Sequence, residues 1–155
     1  MSNQTPTLKS IIEAINAIAP FSCAEEWDNV GLLVGEPDME ITGILIGLDP
    51  TTQLLDEAIQ AGANLVITHH PAIFKPLRSI RTDTPTGAFI AKSITRKIAI
   101  IGCHTNLDVV KNGVSEVLAK KLGAINLQTL VTTGGADYPG NGFGQVGQPQ
   151  IPDAA

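Results

Sequence analysis

Three histidines and one aspartate in this sequence are of the types that bind metal ions, and they follow apolar runs. His69 and His70 are adjacent and come directly after the apolar run 65–67 and Thr68, whereas His104 follows a second apolar run and Asp108 lies four residues later. Imidazole nitrogens and carboxylate oxygens suit zinc, iron, manganese or nickel, and these ligand types do not choose among the four. We therefore predict a divalent-metal site held by His69, His70 and Asp108.

The chemistry expected of such a site is metal-assisted hydrolysis. The carboxylate of Asp108 could bridge two cations, one held by each histidine of the pair, and two bridged cations activate water and stabilise a developing negative charge. His104 then serves as the catalytic group that transfers protons. The competing interpretation, a helix cap or a hydrogen-bonded surface feature, is less favoured because a second strand ends in the same residue types.

Two further groups have candidate roles around this site. Asp49 follows a third predicted strand, where it either orients a histidine by accepting its second N–H or begins a helix. Three cations in the loop 71–85 either meet a phosphate of the substrate or form a solvated basic surface; they are Lys75, Arg78 and Arg81. The sequence favours neither reading of the loop.

The elements that must position these residues alternate between strand and helix from residue 41 to residue 132. Short helical connections imply an α/β fold with a mainly parallel or mixed sheet and helices on both faces. In open sheets of this kind, ligand sites lie at the carboxyl ends of the strands, where all three histidines are predicted. His69 and His70 converge only if their strand has ended and the chain turns at Pro71. Apolar periodicity and capping residues predict helices at 8–19, 52–61, 86–96 and 112–122 and strands at 41–48, 65–67, 97–103 and 125–132, and the strand at 41–48 is expected to be central.

The remaining stretches suggest two units. Residues 1–132 are predicted to form the metal-site domain, and the Gly- and Pro-rich residues 133–155 a tail or linker without helix or strand. The motif G-x-G-x-x-G at 142–147 lacks the preceding strand and following helix of a dinucleotide site. Trp27 is expected to pack in the core before a short strand. Cys103 is either a nucleophile or, as we favour, a small apolar residue at a strand end.

Composition excludes several classes of protein. The chain has 155 residues, 43% of them hydrophobic and 16% charged, which is typical of a compact fold rather than a disordered one. A net charge of −5 argues against binding to nucleic acid or to an anionic membrane surface. The N-terminus does not read as a signal peptide, no apolar run is long enough for a membrane span, and the two cysteines read as reduced thiols, so we expect a cytoplasmic protein.

Three segments resemble the Nif-three-like family and occur in the family's order along the chain: residues 26–35, 68–71 and 103–108. The match covers roughly residues 8–147. Members are often named GTP cyclohydrolase I type 2 homologues. The resemblance implies a dinuclear metal centre in which His69, His70 and Asp108 are first-half ligands and His104 lies near the metals. It also implies a cytoplasmic α/β protein that assembles into ring-shaped homo-oligomers.

The chain departs from the family pattern after Asp108, because no later residue is a histidine. Family members continue into a second half that supplies a histidine and a glutamate spaced H-x-x-x-E. We therefore expect either a first half alone or completion of the site by another chain. Two functions follow: a metal-dependent hydrolase of a nucleotide-like small substrate, or a non-catalytic metal-binding scaffold or regulatory protein. Turnover of GTP or a related compound would distinguish them.

Overall fold

A four-stranded mixed sheet forms the centre of the computed structural model, which describes residues 5–150. Its strands are β1 (Gly31–Val34), β2 (Ile44–Gly47), β3 (Leu65–Thr68) and β4 (Ala99–Gly102), in the order β1-β4-β3-β2. Strands β2, β3 and β4 are parallel, and β1 is antiparallel to β4. The predicted α/β class with a mixed sheet is confirmed.

Strands β3 and β4 lie at the centre because they are apolar on both faces. Val66 and Ile100 point to one face and Leu65 and Ile101 to the other, and all four are fully buried. The strand predicted at 41–48 is shorter, and it is the edge strand β2 rather than a central one. Its apolar residues do not distinguish the two positions, because the order of strands depends on contacts that are distant in sequence.

Helices cover both faces of this sheet. α1 (Leu8–Ile18) packs on the face of Leu65 and Ile101, and α2 (Thr52–Ala61) and α3 (Pro85–Thr95) pack on the opposite face. α2 begins at the predicted cap, because the Thr51 side chain accepts a hydrogen bond from the Leu54 N–H, and it ends at Gly62, where φ is +69°. The short α4 (Thr105–Val109) and α5 (Val114–Lys121) follow β4. No helix in residues 5–150 combines the length and the apolar character that crossing a membrane requires.

A separate two-stranded hairpin closes the described chain. The strand predicted at 125–132 is present as β5 (Ala124–Thr132), but it pairs antiparallel with β6 (Gly142–Pro149) instead of joining the main sheet. The prediction that residues 133–155 contain no strand is therefore wrong. Glycine at position 142 permits the pairing, because a Cβ there would collide with the carbonyl oxygen of Val131.

Candidate metal centre

The adjacent histidines leave the sheet at the end of β3. The strand ends at Thr68, and the backbone N–H groups of His69 and His70 donate to the carbonyl oxygens of Gly47 and Leu48, at 3.2 and 3.0 Å. The Thr68 hydroxyl donates to the His70 carbonyl at 2.7 Å, which fixes the turn. As a result the two imidazoles no longer alternate across the sheet, and their centroids lie 5.2 Å apart.

His104 joins them from the neighbouring strand. It follows β4, and its ring centroid lies 5.2 Å from that of His69 and 5.8 Å from that of His70. The three side chains offer ligand atoms that lie within 4.8 Å of one another. The parallel pairing of β3 and β4 brings them together, since it aligns the carboxyl ends of the two strands.

Each imidazole is held through its Nδ1 atom by a different acceptor. His69 Nδ1 lies 2.9 Å from the carbonyl oxygen of Cys103, His70 Nδ1 lies 2.6 Å from Asp49 Oδ1, and His104 Nδ1 lies 2.9 Å from Asp28 Oδ1. When Nδ1 donates its proton to such an acceptor, Nε2 is left as the free electron-pair donor. Asp49 thus has the orienting role suggested for it, and Thr51, not Asp49, caps the helix.

Asp108 lies at the margin of the histidine cluster. It is carried by α4, and its Oδ1 atom is 3.6 Å from His69 Nε2, beyond hydrogen-bond distance but within the range of an ion pair. Both side chains are about one-fifth exposed. The structure therefore brings all four residues singled out from the sequence into one site, with Asp108 nearest to His69.

Asp28 is the component of this site for which the sequence suggested no role. Its carboxylate also accepts hydrogen bonds from the Thr105 and Asn29 backbone N–H groups, at 3.0 and 2.8 Å, and from the Thr105 hydroxyl. Burial raises the pKa of Asp28, but hydrogen bonds from Thr105, His104 and Asn29 outweigh it, so the pKa lies below its ordinary value. Its place between Trp27 and Asn29 carried no signal of burial.

Trp27 is not in the core, and this expectation is wrong. The residue is 59% exposed, and its ring meets Phe74 and His104 edge to face, with centroids 5.9 and 6.2 Å away. Composition favours burial of a single tryptophan, but Trp27 and its neighbour Asp28 both contact His104 and so border the histidine cluster.

The side chain of Cys103 is buried beside the histidine cluster. Burial raises the pKa of the Cys103 thiol to about 11, so the thiolate that a nucleophile needs is scarce near neutral pH. The interpretation of Cys103 as a small buried residue is thus supported.

In the loop 71–85, Lys75 and Arg78 are exposed, whereas Arg81 pairs with Asp83.

Comparison with known proteins shows the family and the fold of this chain. The family model described as Duf34/NIF3 (NGG1p interacting factor 3) matches residues 6–153. The chain belongs to the Duf34/NIF3 family. A Staphylococcus aureus (strain COL) protein named "GTP cyclohydrolase 1 type 2 homolog" is 48% identical over 111 residues, which are 72% of this chain and 30% of that protein. A Halalkalibacterium halodurans protein of the same name is 42% identical over 125 residues, 81% of this chain and 34% of the relative.

A solved structure of a Bacillus cereus protein related to NIF3 has the same fold. It superimposes with a TM-score of 0.81 at 43% identity and covers 84% of this chain and 36% of that one. The chain spans about a third of the length of the curated relatives that it matches.

The donors in this NIF3-family chain fit a divalent cation. Three imidazoles with an anchored Nδ1 and a nearby carboxylate provide four potential donors, the number found in tetrahedral zinc sites. The acceptors that hold the Nδ1 atoms are two aspartate carboxylates and one backbone carbonyl, which are the usual partners of metal-binding histidines.

Proposed function

We propose that this chain is the metal-binding part of a divalent-metal-dependent hydrolase acting on a nucleotide-like small substrate. His69, His70 and Asp108 would hold the metal. The observation that carries the proposal is the separate anchoring of all three Nδ1 atoms, which leaves the other imidazole nitrogens free inside one cluster. Histidines that merely lie at a surface do not each require a dedicated acceptor for the Nδ1 proton.

His104 and Asp28 supply the proton transfer in this mechanism. A bound divalent ion would supply activation of water and stabilisation of negative charge. With Nδ1–H donated to Asp28, the Nε2 atom of His104 can accept a proton from water and return it to the leaving group. The buried Asp28 carboxylate holds the tautomer in place and stabilises the protonated ring, as the aspartate of a Ser-His-Asp triad does.

The basic loop would contact the anionic part of the substrate. Lys75 and Arg78 are exposed in the segment that begins directly after His70, so they are the cations we assign to a phosphate group. Arg81 already has Asp83 as its partner, with contacts from both Nε and Nη2. We therefore leave Arg81 out of this assignment.

We further propose that the chain works in the cytoplasm as a homo-oligomer. Both cysteines are free thiols. Edge strand β2 exposes Ile44 and Ile46, and Leu48 directly after the strand is exposed as well. Such a strand is a natural site of association. The three proposed ligands leave positions open even on one tetrahedral ion, so a second copy or a separate second-half chain would complete the coordination of a pair of ions.

Metal content and turnover, measured on the same samples, test the proposal. The chain is loaded with zinc, manganese or iron(II), dialysed and subjected to elemental analysis, and hydrolysis of GTP and other nucleotides is followed by chromatography. Replacement of both His69 and His70 by alanine should abolish metal retention. Asp56→Ala should not, because it removes an exposed carboxylate of α2 that pairs with Lys92 of α3. Metal retained by the double variant would refute the ligand assignment. Stoichiometric metal without turnover of any nucleotide would favour the scaffold function.

A further inference from the structure

Two large aromatic side chains beside the histidine cluster are exposed. Trp27 is 59% exposed and Phe74 is 45% exposed. Both rings lie against His104, with centroids 6.2 and 6.3 Å from that of the imidazole. Small-molecule sites combine aromatic walls with a few convergent polar groups, and the histidines supply the polar groups here.

The three rings are arranged as the walls of a corner. Trp27 and Phe74 are inclined at 65°, and each is steeper still to His104, at 76° and 83°. No two of these rings stack face to face, and the exposure of Trp27 and Phe74 shows that aromatic surface remains open to solvent. A flat ring entering the corner can stack on one wall while its edge meets another, and both are favourable aromatic geometries.

The corner is held by hydrogen bonds between the two segments that carry it. The Asn29 side-chain amide, two residues after Trp27, donates to the carbonyl of Ile73, the residue before Phe74. The Asp28 carboxylate also binds the Thr105 backbone N–H, which ties the tryptophan segment to the start of α4. Because the two segments that carry the rings are tied to each other and to α4, little backbone entropy would be lost when a ligand enters.

Phe74 is also a wall of an adjoining cavity of about 380 Å³. Pro50 and Pro71, the residues that follow Asp49 and His70, line the same cavity, and Lys75 contributes its only charged side chain. Ligand pockets span roughly 300–1,000 Å³, so the volume suits a small molecule. The cavity and the aromatic corner therefore share the Phe74 side chain, and Pro71 places the cavity directly after His70 in the chain.

We propose that Trp27 and Phe74 bind a planar heteroaromatic ring of the substrate by stacking, and so determine which substrates reach the histidine cluster. The inference rests on the hydrolase function proposed above and assigns its specificity to these two residues. A flat ring fits better than an aliphatic group, because stacking uses the exposed aromatic faces and leaves polar ring edges free for solvent or the histidines.

Fluorescence of Trp27, the single tryptophan of the chain, tests the inference directly. The full chain, with metal and with chelator, is titrated with guanosine, uridine, nicotinamide and, as the ring-free probe, ribose 5-phosphate. We expect saturable quenching by at least one ring compound and none by ribose 5-phosphate. Phe74→Leu should weaken the apparent affinity about tenfold, in line with the loss of one aromatic stacking partner, and Phe74→Tyr should restore it. The matched control is Leu122→Ala, which truncates a 77% exposed side chain directly after α5 and should leave the affinity unchanged.

The outcomes separate this inference from the proposed function. Ring-dependent quenching that persists with chelator and in the His69/His70 double alanine variant supports the ring site, even if hydrolysis is never observed. Absence of quenching by every ring compound, or equal quenching in Phe74→Leu, overturns it while leaving the metal assignment intact. A loss of self-association in Phe74→Leu, with no effect of any ring compound, would instead make the aromatic pair a contact between subunits.

Discussion

Asp28→Asn tests how strongly the buried carboxylate supports the site, with almost no change in volume. The side chain is fully buried. Oδ1 accepts from the Asn29 N–H and from His104 Nδ1, and Oδ2 accepts from the N–H and the hydroxyl of Thr105. An amide has only one acceptor oxygen, so its NH₂ group must face one of these two pairs of donors.

Either orientation leaves a backbone N–H opposed by the new NH₂ group. The Thr105 hydroxyl can rotate and His104 can change tautomer, but the N–H groups of Thr105 and Asn29 cannot. A hydrogen bond to a charged group contributes about 1.5–3 kcal/mol, and an unsatisfied buried donor costs about 1–3 kcal/mol. We therefore expect the free energy of unfolding to fall by about 3 kcal/mol, which lowers Tm by roughly 6–12 °C for a chain of this size.

Asp49→Asn is the matched control. Asp49 also pairs with a site histidine, but its side chain is 57% exposed and it makes this single contact with His70. Exposed ion pairs contribute about 0.2–1 kcal/mol, so the loss of stability should be several times smaller. Urea unfolding followed by far-UV circular dichroism, in chelator, gives both values. A loss below about 1 kcal/mol for Asp28→Asn, or an equal loss for Asp49→Asn, would refute the argument from burial.

Four further outcomes are expected. The pKa of Asp28 is lowered in the folded chain, so the stability advantage of wild type over Asp28→Asn should be complete above the ordinary carboxyl pKa of about 4 and be lost as the pH falls through the lowered pKa of the folded state; urea titrations at several pH values measure this, and a constant difference would contradict it. His104→Ala should keep its metal and lose turnover by about 10²–10⁴-fold, whereas Asp108→Ala should lose both; metal loss in His104→Ala would make that residue a ligand. Cys103, with a pKa near 11, should resist iodoacetamide at about pH 8 until the chain unfolds, as peptide mass spectrometry can report, and its rapid modification in the native chain would be inconsistent with burial. Ile46→Lys, at a 74% exposed position of β2, should shift sedimentation toward monomer, and an unchanged oligomer would locate the contact elsewhere.

Local sequence signals predicted the elements that deliver the histidines. The apolar runs at β3 and β4 are buried on both faces, so their identity does not depend on register or on a particular neighbour. Thr51 and Gly62 bound α2 for equally local reasons, a side-chain cap and a left-handed backbone. Short helical connections between successive strands imply parallel pairing, so the sequence also predicted that the carboxyl ends of β3 and β4 meet.

Other features depend on contacts between distant segments. Asp28 reaches His104 across 76 residues, and nothing near Asp28 in the chain indicates that its carboxylate will be buried. Trp27 is exposed although tryptophan is usually buried, because its segment borders the site. β6 forms from a glycine-rich stretch because β5 supplies its hydrogen-bonding partner. β5 also lies too close for a side chain at position 142, so a glycine is needed there. The sequence by itself determined which strands end in metal-binding residue types, since burial patterns are local. Only the tertiary structure decided which carboxylates anchor the histidines and which aromatic rings border them, since loop packing brings together residues that no periodicity connects.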